Sequence, residues 1–209
     1  MRIARTTCVV LLLSLSMATL ASGQDIYLIG RVGPSFPNAD IEDQFFGDLA
    51  TLDMDTGWVI GGGAGIDFGA ARAGLGVDYR SADIAGADVR PGATASLSSG
   101  SIGVLTVLSE FDVDAPVVKD WLEFNLGFGI GAAQLRSDAA DEWDFAYSVG
   151  GGFYLLRFEP FGIDLRYRFV STTPGFRLTE PPNAQTLQWS AHEVTFGVRY
   201  VFGARGEQE

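Results

Sequence analysis

Large apolar residues fall at every second position along Trp121–Ala133, WLEFNLGFGIGAA, and the residues between them are small or polar. Leu122, Phe124, Leu126, Phe128 and Ile130 form one set, and Glu123, Asn125, Gly127, Gly129 and Gly131 form the other. A period of two belongs to a β-strand with unlike faces. The same design recurs along the chain. Ile163, Leu165, Tyr167 and Phe169 oppose Asp164, Arg166 and Arg168, and Trp58, Ile60, Ala64, Ile66 and Phe68 oppose Gly61, Gly63, Gly65 and Asp67. Leu75, Val77 and Tyr79 oppose Arg72, Asp78 and Arg80; Ile26, Leu28 and Val32 oppose Arg31; Phe196, Val198, Tyr200 and Phe202 oppose Arg199. Trp143 to Leu155 makes a further strand, and Ile102 to Phe111 another whose phase is ambiguous, because Leu105 and Val107 compete with Ile102 and Val104.

Eight strands of about 9–11 residues or slightly more result, the length that crosses a bilayer when tilted. The connections alternate. Long ones span 34–57, 81–98, 134–142 and 171–187, and short ones span 68–71, 112–120 and 158–162. This predicts an all-β fold, an eight-stranded antiparallel transmembrane barrel with short periplasmic turns and long extracellular loops. Ten strands remain open if parts of the first or last long loop pair above the membrane.

Which face is inside follows from the small and charged set. A water-soluble barrel would expose rows of strand glycines, each costing about 0.5–1 kcal/mol relative to alanine without packing in return. Arginine facing lipid near the midplane costs about 2–4 kcal/mol. Both problems vanish if the bulky residues face lipid and the charged set faces a narrow lumen that side chains can fill. The expected lumen network is Arg31, Arg72, Asp78, Arg80, Glu123, Asp164, Arg166, Arg168, Glu193 and Arg199. It either plugs the barrel or lines a narrow pore, and the small strand number favours the plug. Outward aromatics collect towards the strand ends as two girdles: Trp58, Tyr79, Trp143, Phe169 and His192 at one end, Phe68, Tyr200 and Phe202 at the other.

The ends of the chain fit export. Residues 1–23 carry Arg2 and Arg5, an apolar run and the small residues Ala21, Ser22 and Gly23, the pattern of a cleaved signal peptide, which leaves 24–209 as one barrel domain. Cys8, the sole cysteine, lies in that leader, so the expected mature chain has no thiol chemistry. The formal charge of −12 becomes −14 once Arg2 and Arg5 are removed. A surface this acidic is unsuited to nucleic acid.

SAHEVTFGVRYVF resembles the closing strand of the opacity-type and outer-membrane-protein-A/X-like porin family of small bacterial barrels, with Thr195, Gly197, Tyr200 and Phe202 in the matching positions. The resemblance implies that these four form the signal read by the barrel-assembly machinery, and that the protein sits in the bacterial outer membrane amid lipid and lipopolysaccharide. The chain departs from the family by continuing with GARGEQE after Phe202. Family membership implies an architecture rather than an activity.

Chemical motifs are sparse. His192, the lone histidine, follows Ser190 in the order Ser-x-His, the reverse of the His-x-Ser of lipid A deacylases, and Glu193 falls on the opposite face. His192 therefore reads as a rim residue and the chain as no enzyme. Asp40, Glu42, Asp43, Asp48, Asp53 and Asp55 form an acidic loop that offers carboxylates to divalent cations bridging to lipopolysaccharide, but DMDTG lacks the spacing of a calcium loop. No residue pattern calls for a cofactor. A structural, surface-displaying barrel is the expected function; a passive pore, loop-mediated adhesion and a lipid A-modifying enzyme are the alternatives, the last the weakest.

Overall fold

The computed structural model describes residues 25–43, 47–89, 100–119, 121–136, 141–158, 160–173, 175–177 and 185–202. The expected signal peptide, 1–23, and the GARGEQE tail lie outside the described residues. The strand segments are β1 (Asp25–Asp43), β2 (Gly47–Met54), β3 (Gly57–Asp67), β4 (Ala71–Val89), β5 (Ser101–Val118), β6 (Leu122–Arg136), β7 (Asp141–Phe158), β8 (Phe161–Thr172), β9 (Phe176–Arg177) and β10 (Gln185–Phe202). They form one antiparallel sheet that β1 and β10 close into a ring. β2 sits between β1 and β4 beyond the end of β3, and β9 pairs only with β10. Ten segments thus occupy eight positions around the barrel, and the extra two pair in the first and last long connections.

The register sets the shape. Stepping across the sheet from Phe202 through Ile26, Ile66, Ala73, Phe111, Phe128, Val149 and Phe169 returns to β10 at His192, ten residues farther along the same strand. A stagger of ten over eight strands, with ~3.3 Å per residue and ~4.8 Å between strands, tilts the strands by about 40°. Each residue then climbs about 2.5 Å along the axis, and Phe202 to His192 spans about 25 Å, the height of a lipid-facing band.

Within that band the outward residues are apolar and the inward ones polar. Leu28, Val32, Ile60, Leu75, Val77, Leu126, Phe128, Val149, Leu165, Phe196 and Val198 are exposed, and Arg31, Asp78, Arg80, Asp164, Arg166, Arg168, Glu193 and Arg199 are buried. β5, ambiguous in the sequence, points Glu110, Asp112 and Asp114 inward and Phe111 and Val113 outward.

Beyond the band the polarity inverts. The strands run on to 15–19 residues in β1, β4, β5, β6, β7 and β10, so much of the sequence expected to be long loop is barrel wall. Along β10 the exposed Val194, Phe196 and Val198 give way to buried Leu187, Trp189 and Ala191. The same exchange takes β1 from Phe36 to Ala39 and Ile41, β5 from Phe111 to Ile102 and Val104, and β6 from Ile130 to Ala133 and Leu135. These inward residues join Leu52, Val170 and Phe176 in one apolar core that fills the outer end. Within 171–187, expected to be a long connection, Phe176 is fully buried and β9 pairs with Thr186 and Leu187. At the opposite end a short turn joins β3 to β4, with Gly69 at φ 91° and its N–H donating to the Asp67 carboxylate. A left-handed residue there favours glycine.

The inversion has a measurable signature. Val198→Arg, in the lipid-facing band, is expected to destabilise the barrel by about 2–4 kcal/mol, whereas Gln188→Arg, ten residues farther out on β10, changes stability by about 0.5 kcal/mol or less. Urea titration of both variants refolded into phospholipid vesicles checks this, and equal costs would mean that the band does not end near His192.

Candidate functional site

The lumen holds the densest chemistry of the molecule. Six arginines, Arg31, Arg72, Arg80, Arg166, Arg168 and Arg199, face six carboxylates, Asp78, Glu110, Asp112, Asp114, Asp164 and Glu193. They are brought inward by strand phase alone, each strand contributing every second residue. The groups sort into two levels.

The level nearer the apolar core is a closed network. Arg31 donates through Nε to Asp78 at 2.6 Å and through Nη2 to Glu110 at 2.7 Å. Arg168 reaches Asp78 at 2.9 Å, Glu110 at 3.0 Å and Glu193 at 2.9 Å. Arg80 binds Glu193 through Nε and donates through Nη1 to the Thr106 hydroxyl at 2.8 Å. The Arg80 guanidinium also lies 5.6 Å from the centre of the Trp189 ring, so the network ends directly against the apolar core. Gly76 makes room for this: a Cβ there would meet Arg31 Nη2 at 2.6 Å and the Glu110 carboxyl carbon at 2.8 Å.

The level nearer the termini is made of pairs more loosely joined, with Arg166 Nε 4.0 Å from an Asp164 oxygen. Arg166 donates to Asp112 at 2.6 Å and to Asn125 at 3.1 Å, Arg72 pairs with Asp114 at 2.6 Å, and Arg199 with Asp164 at 3.2 Å. Arg199 stacks between two tyrosines, 3.8 Å from the Tyr154 ring centre and 5.2 Å from that of Tyr27. Several donors here, Arg72 Nε and Nη1, Arg166 Nε and Asn125 Nδ2, are buried without a hydrogen-bond partner in the protein. Such donors cost free energy, so this level is the weaker of the two.

All ten residues of the expected network lie on inward positions, but not all in one cluster. Glu123 lies at the open end, half-buried and across from Tyr154. Glu110, Asp112 and Asp114 were missed. Glu110 lies on the strand of ambiguous phase, and 112–120 reads as a turn, whereas β5 continues to Val118 and holds Asp112 and Asp114 inside. The signal that could have found them is the carboxylate at every second position, 110, 112 and 114.

Outside, Phe161, Tyr200 and Phe202 meet edge to face, with centroids 5.1 and 4.6 Å apart. Thr195 is inward and buried, Gly197 is inward, and Phe68 is exposed beside the β3–β4 turn. Towards the outer side Trp58 packs on Tyr79 at 5.6 Å, and Phe169 on His192 at 5.0 Å. Trp143 does not join this ring. It lies four residues beyond Tyr147 on β7, about 10 Å farther out at the same tilt. The expected girdle position of Trp143 is therefore corrected to one above the girdle. His192 Nδ1 is 2.6 Å from the Tyr167 hydroxyl, while neighbouring Glu193 is held inside by Arg80 and Arg168. Among the acidic residues of the first connection, Asp40 accepts from the Thr51 hydroxyl at 2.9 Å and Asp53 and Asp55 are exposed; the side chains of Glu42, Asp43 and Asp48 lie outside the described residues. No group of three or more metal-ligating side chains gathers among the described residues.

A barrel closed by β1 and β10, with a 25 Å apolar band outside and charge within, matches the family model for the outer membrane protein beta-barrel domain over residues 7–202. The chain belongs to that family. This outer-membrane barrel resembles the crystal structures of Neisserial surface protein A, at 14% identity and TM-score 0.48 over 87% of this chain and 100% of the other, and of OprG from Pseudomonas aeruginosa, at 14% and 0.49 over 87% and 97%. It also resembles the outer membrane protease OmpT from Escherichia coli, at 10% and 0.46 over 88% and 99%. No curated protein matches the chain. The family places the protein in the bacterial outer membrane, surrounded by its lipid.

Removing one partner of a buried charge network strands the others. Glu193→Ala, which leaves Arg80 and Arg168 short of a carboxylate, is expected to cost about 3–5 kcal/mol. Glu123→Ala at the half-buried end should cost about 1 kcal/mol or less. The urea midpoints of the two variants, read from the heat-shifted gel band, test that order.

Proposed function

We propose that this outer-membrane barrel is a closed, non-conducting and non-catalytic scaffold that holds its outer rim and acidic connections above the membrane. One observation carries the reading: the lumen is filled across its whole section. Arg31, Asp78, Arg80, Arg168 and Glu193 are each at most 6% exposed, and the apolar core above them is as deeply buried. A continuous water path would leave these charges hydrated and accessible, as in larger barrels with aqueous lumens. Planar bilayers containing the refolded protein are expected to stay silent. Steady single-channel steps that change size in Arg168→Ala would replace this reading with a narrow pore.

The non-catalytic part rests on His192. Its neighbour Glu193 is committed to Arg80 and Arg168 on the inner side of the wall, so that carboxylate is not available to orient the outward imidazole. Expression is expected to leave lipid A unchanged by mass spectrometry, for the wild type and for His192→Ala alike. A deacylated lipid A that disappears with His192→Ala would make the protein an enzyme.

A further inference from the structure

Above the lipid-facing band, β7 breaks a rule that other strands obey. β1, β2 and β10 turn apolar residues inward there and show Asn38, Asp40, Thr51, Asp53 and Ser190 outward. β7 keeps the membrane arrangement: Trp143 and Phe145 stay outward, 55% and 49% exposed, and Asp144 points in, accepting from the Thr173 hydroxyl at 2.9 Å. Trp143 stands about 10 Å above the aromatic ring at Tyr147, beyond the reach of acyl chains. An apolar surface at that height needs a partner other than hydrocarbon.

The surroundings of the pair select that partner. Gln134 lies directly across from Trp143 on β6, and Arg136 sits one diagonal step away, where side chains still meet. Arg136 is exposed and donates to the Gln134 side-chain oxygen at 3.0 Å. The wall four strands away around the ring, at β2 and β3, carries the exposed Asp53 and Asp55 instead, whereas the exposed cation Arg136 lies beside the aromatic pair. Two aromatic side chains bury about 150–250 Å² each, well short of the ~800 Å² per partner of a stable protein interface. That argues against a second copy of the chain. A pyranose ring has the right size, with C–H faces for the indole and hydroxyl or carboxylate groups for Gln134 and Arg136.

We infer that Trp143, Phe145, Gln134 and Arg136 form a docking surface for the acidic inner sugars of lipopolysaccharide packed around the barrel. The inference concerns the outside of the wall and does not depend on whether the lumen conducts. The test compares refolded protein in vesicles doped with lipid A alone and with lipopolysaccharide truncated after its inner acidic sugars. The two share acyl chains and phosphates, so their difference isolates the sugars. The unfolding time of the wild type at fixed temperature, followed by the heat-shifted band, should lengthen about threefold with the sugars present, as expected for one aromatic contact. Trp143→Ala and Arg136→Ala should each lose that increment while matching the wild type in lipid A vesicles. No increment in the wild type, or an undiminished one in both variants, would overturn the inference. So would a disulfide-linked dimer formed in high yield by Ala132→Cys, directly across from Phe145 on the outer face of β6, which would mark the patch as a contact between copies.

Discussion

A residue in a β-strand cannot choose its side of the sheet: successive side chains alternate, and the phase persists as long as the strand does. The surroundings of a barrel wall change along its length. Lipid lies outside over about 25 Å, and water lies outside beyond that. The inner side is closed throughout and must be filled. These strands are longer than the band, so their apolar residues exchange sides where the surroundings do. The exchange occurs at Phe36 to Ala39 in β1, Ile130 to Ala133 in β6 and Val194 to Ala191 in β10. One molecule therefore combines a membrane barrel with a polar filling and, above it, a barrel of the soluble kind with an apolar core.

The two fillings meet at Arg80 and Trp189. Below that contact Arg31, Arg80 and Arg168 share Asp78, Glu110 and Glu193, so every charge has more than one partner of opposite sign. Such a network offsets the large cost of taking ions from water better than isolated pairs do. Glu193 is central because β10 places it opposite both Arg80 and Arg168. Glycine on the neighbouring strands is the counterpart of these long side chains, since a barrel of this width has no room for a second layer of them. The apolar core then keeps outside water from the network, which makes the seal and the charge layer interdependent.

Much of this is legible in the linear chain. Leu165, Arg166, Tyr167 and Arg168 alternate so cleanly that their sides follow from lipid energetics, and the structure has the antiparallel ring of eight positions that the alternation predicts. Where the alternation changes phase, the linear reading fails. In β5, Ile102 and Val104 are apolar inside and Leu105 and Val107 apolar outside, so both phases score alike until the core above the band is known. The same effect makes the outer halves of β1 and β4 read as loops, because a strand whose pattern slips by one residue looks irregular. By residue type Trp143 belongs with the girdle, but its height depends on the stagger of the whole ring.

The sequence by itself determined the fold class, the lipid-facing side of each strand in the band and the location in the membrane, because period-two alternation with arginine and glycine on one side has a single low-energy solution in a bilayer. Only the tertiary structure decided which arginine meets which carboxylate, that Glu110, Asp112 and Asp114 complete the set, and that an apolar core closes the outer end. Those facts depend on a stagger of ten residues around the ring, which brings Arg80 to Glu193 across 113 positions of chain. No local pattern encodes that number, since it emerges only when the first and last strands pair and the barrel closes.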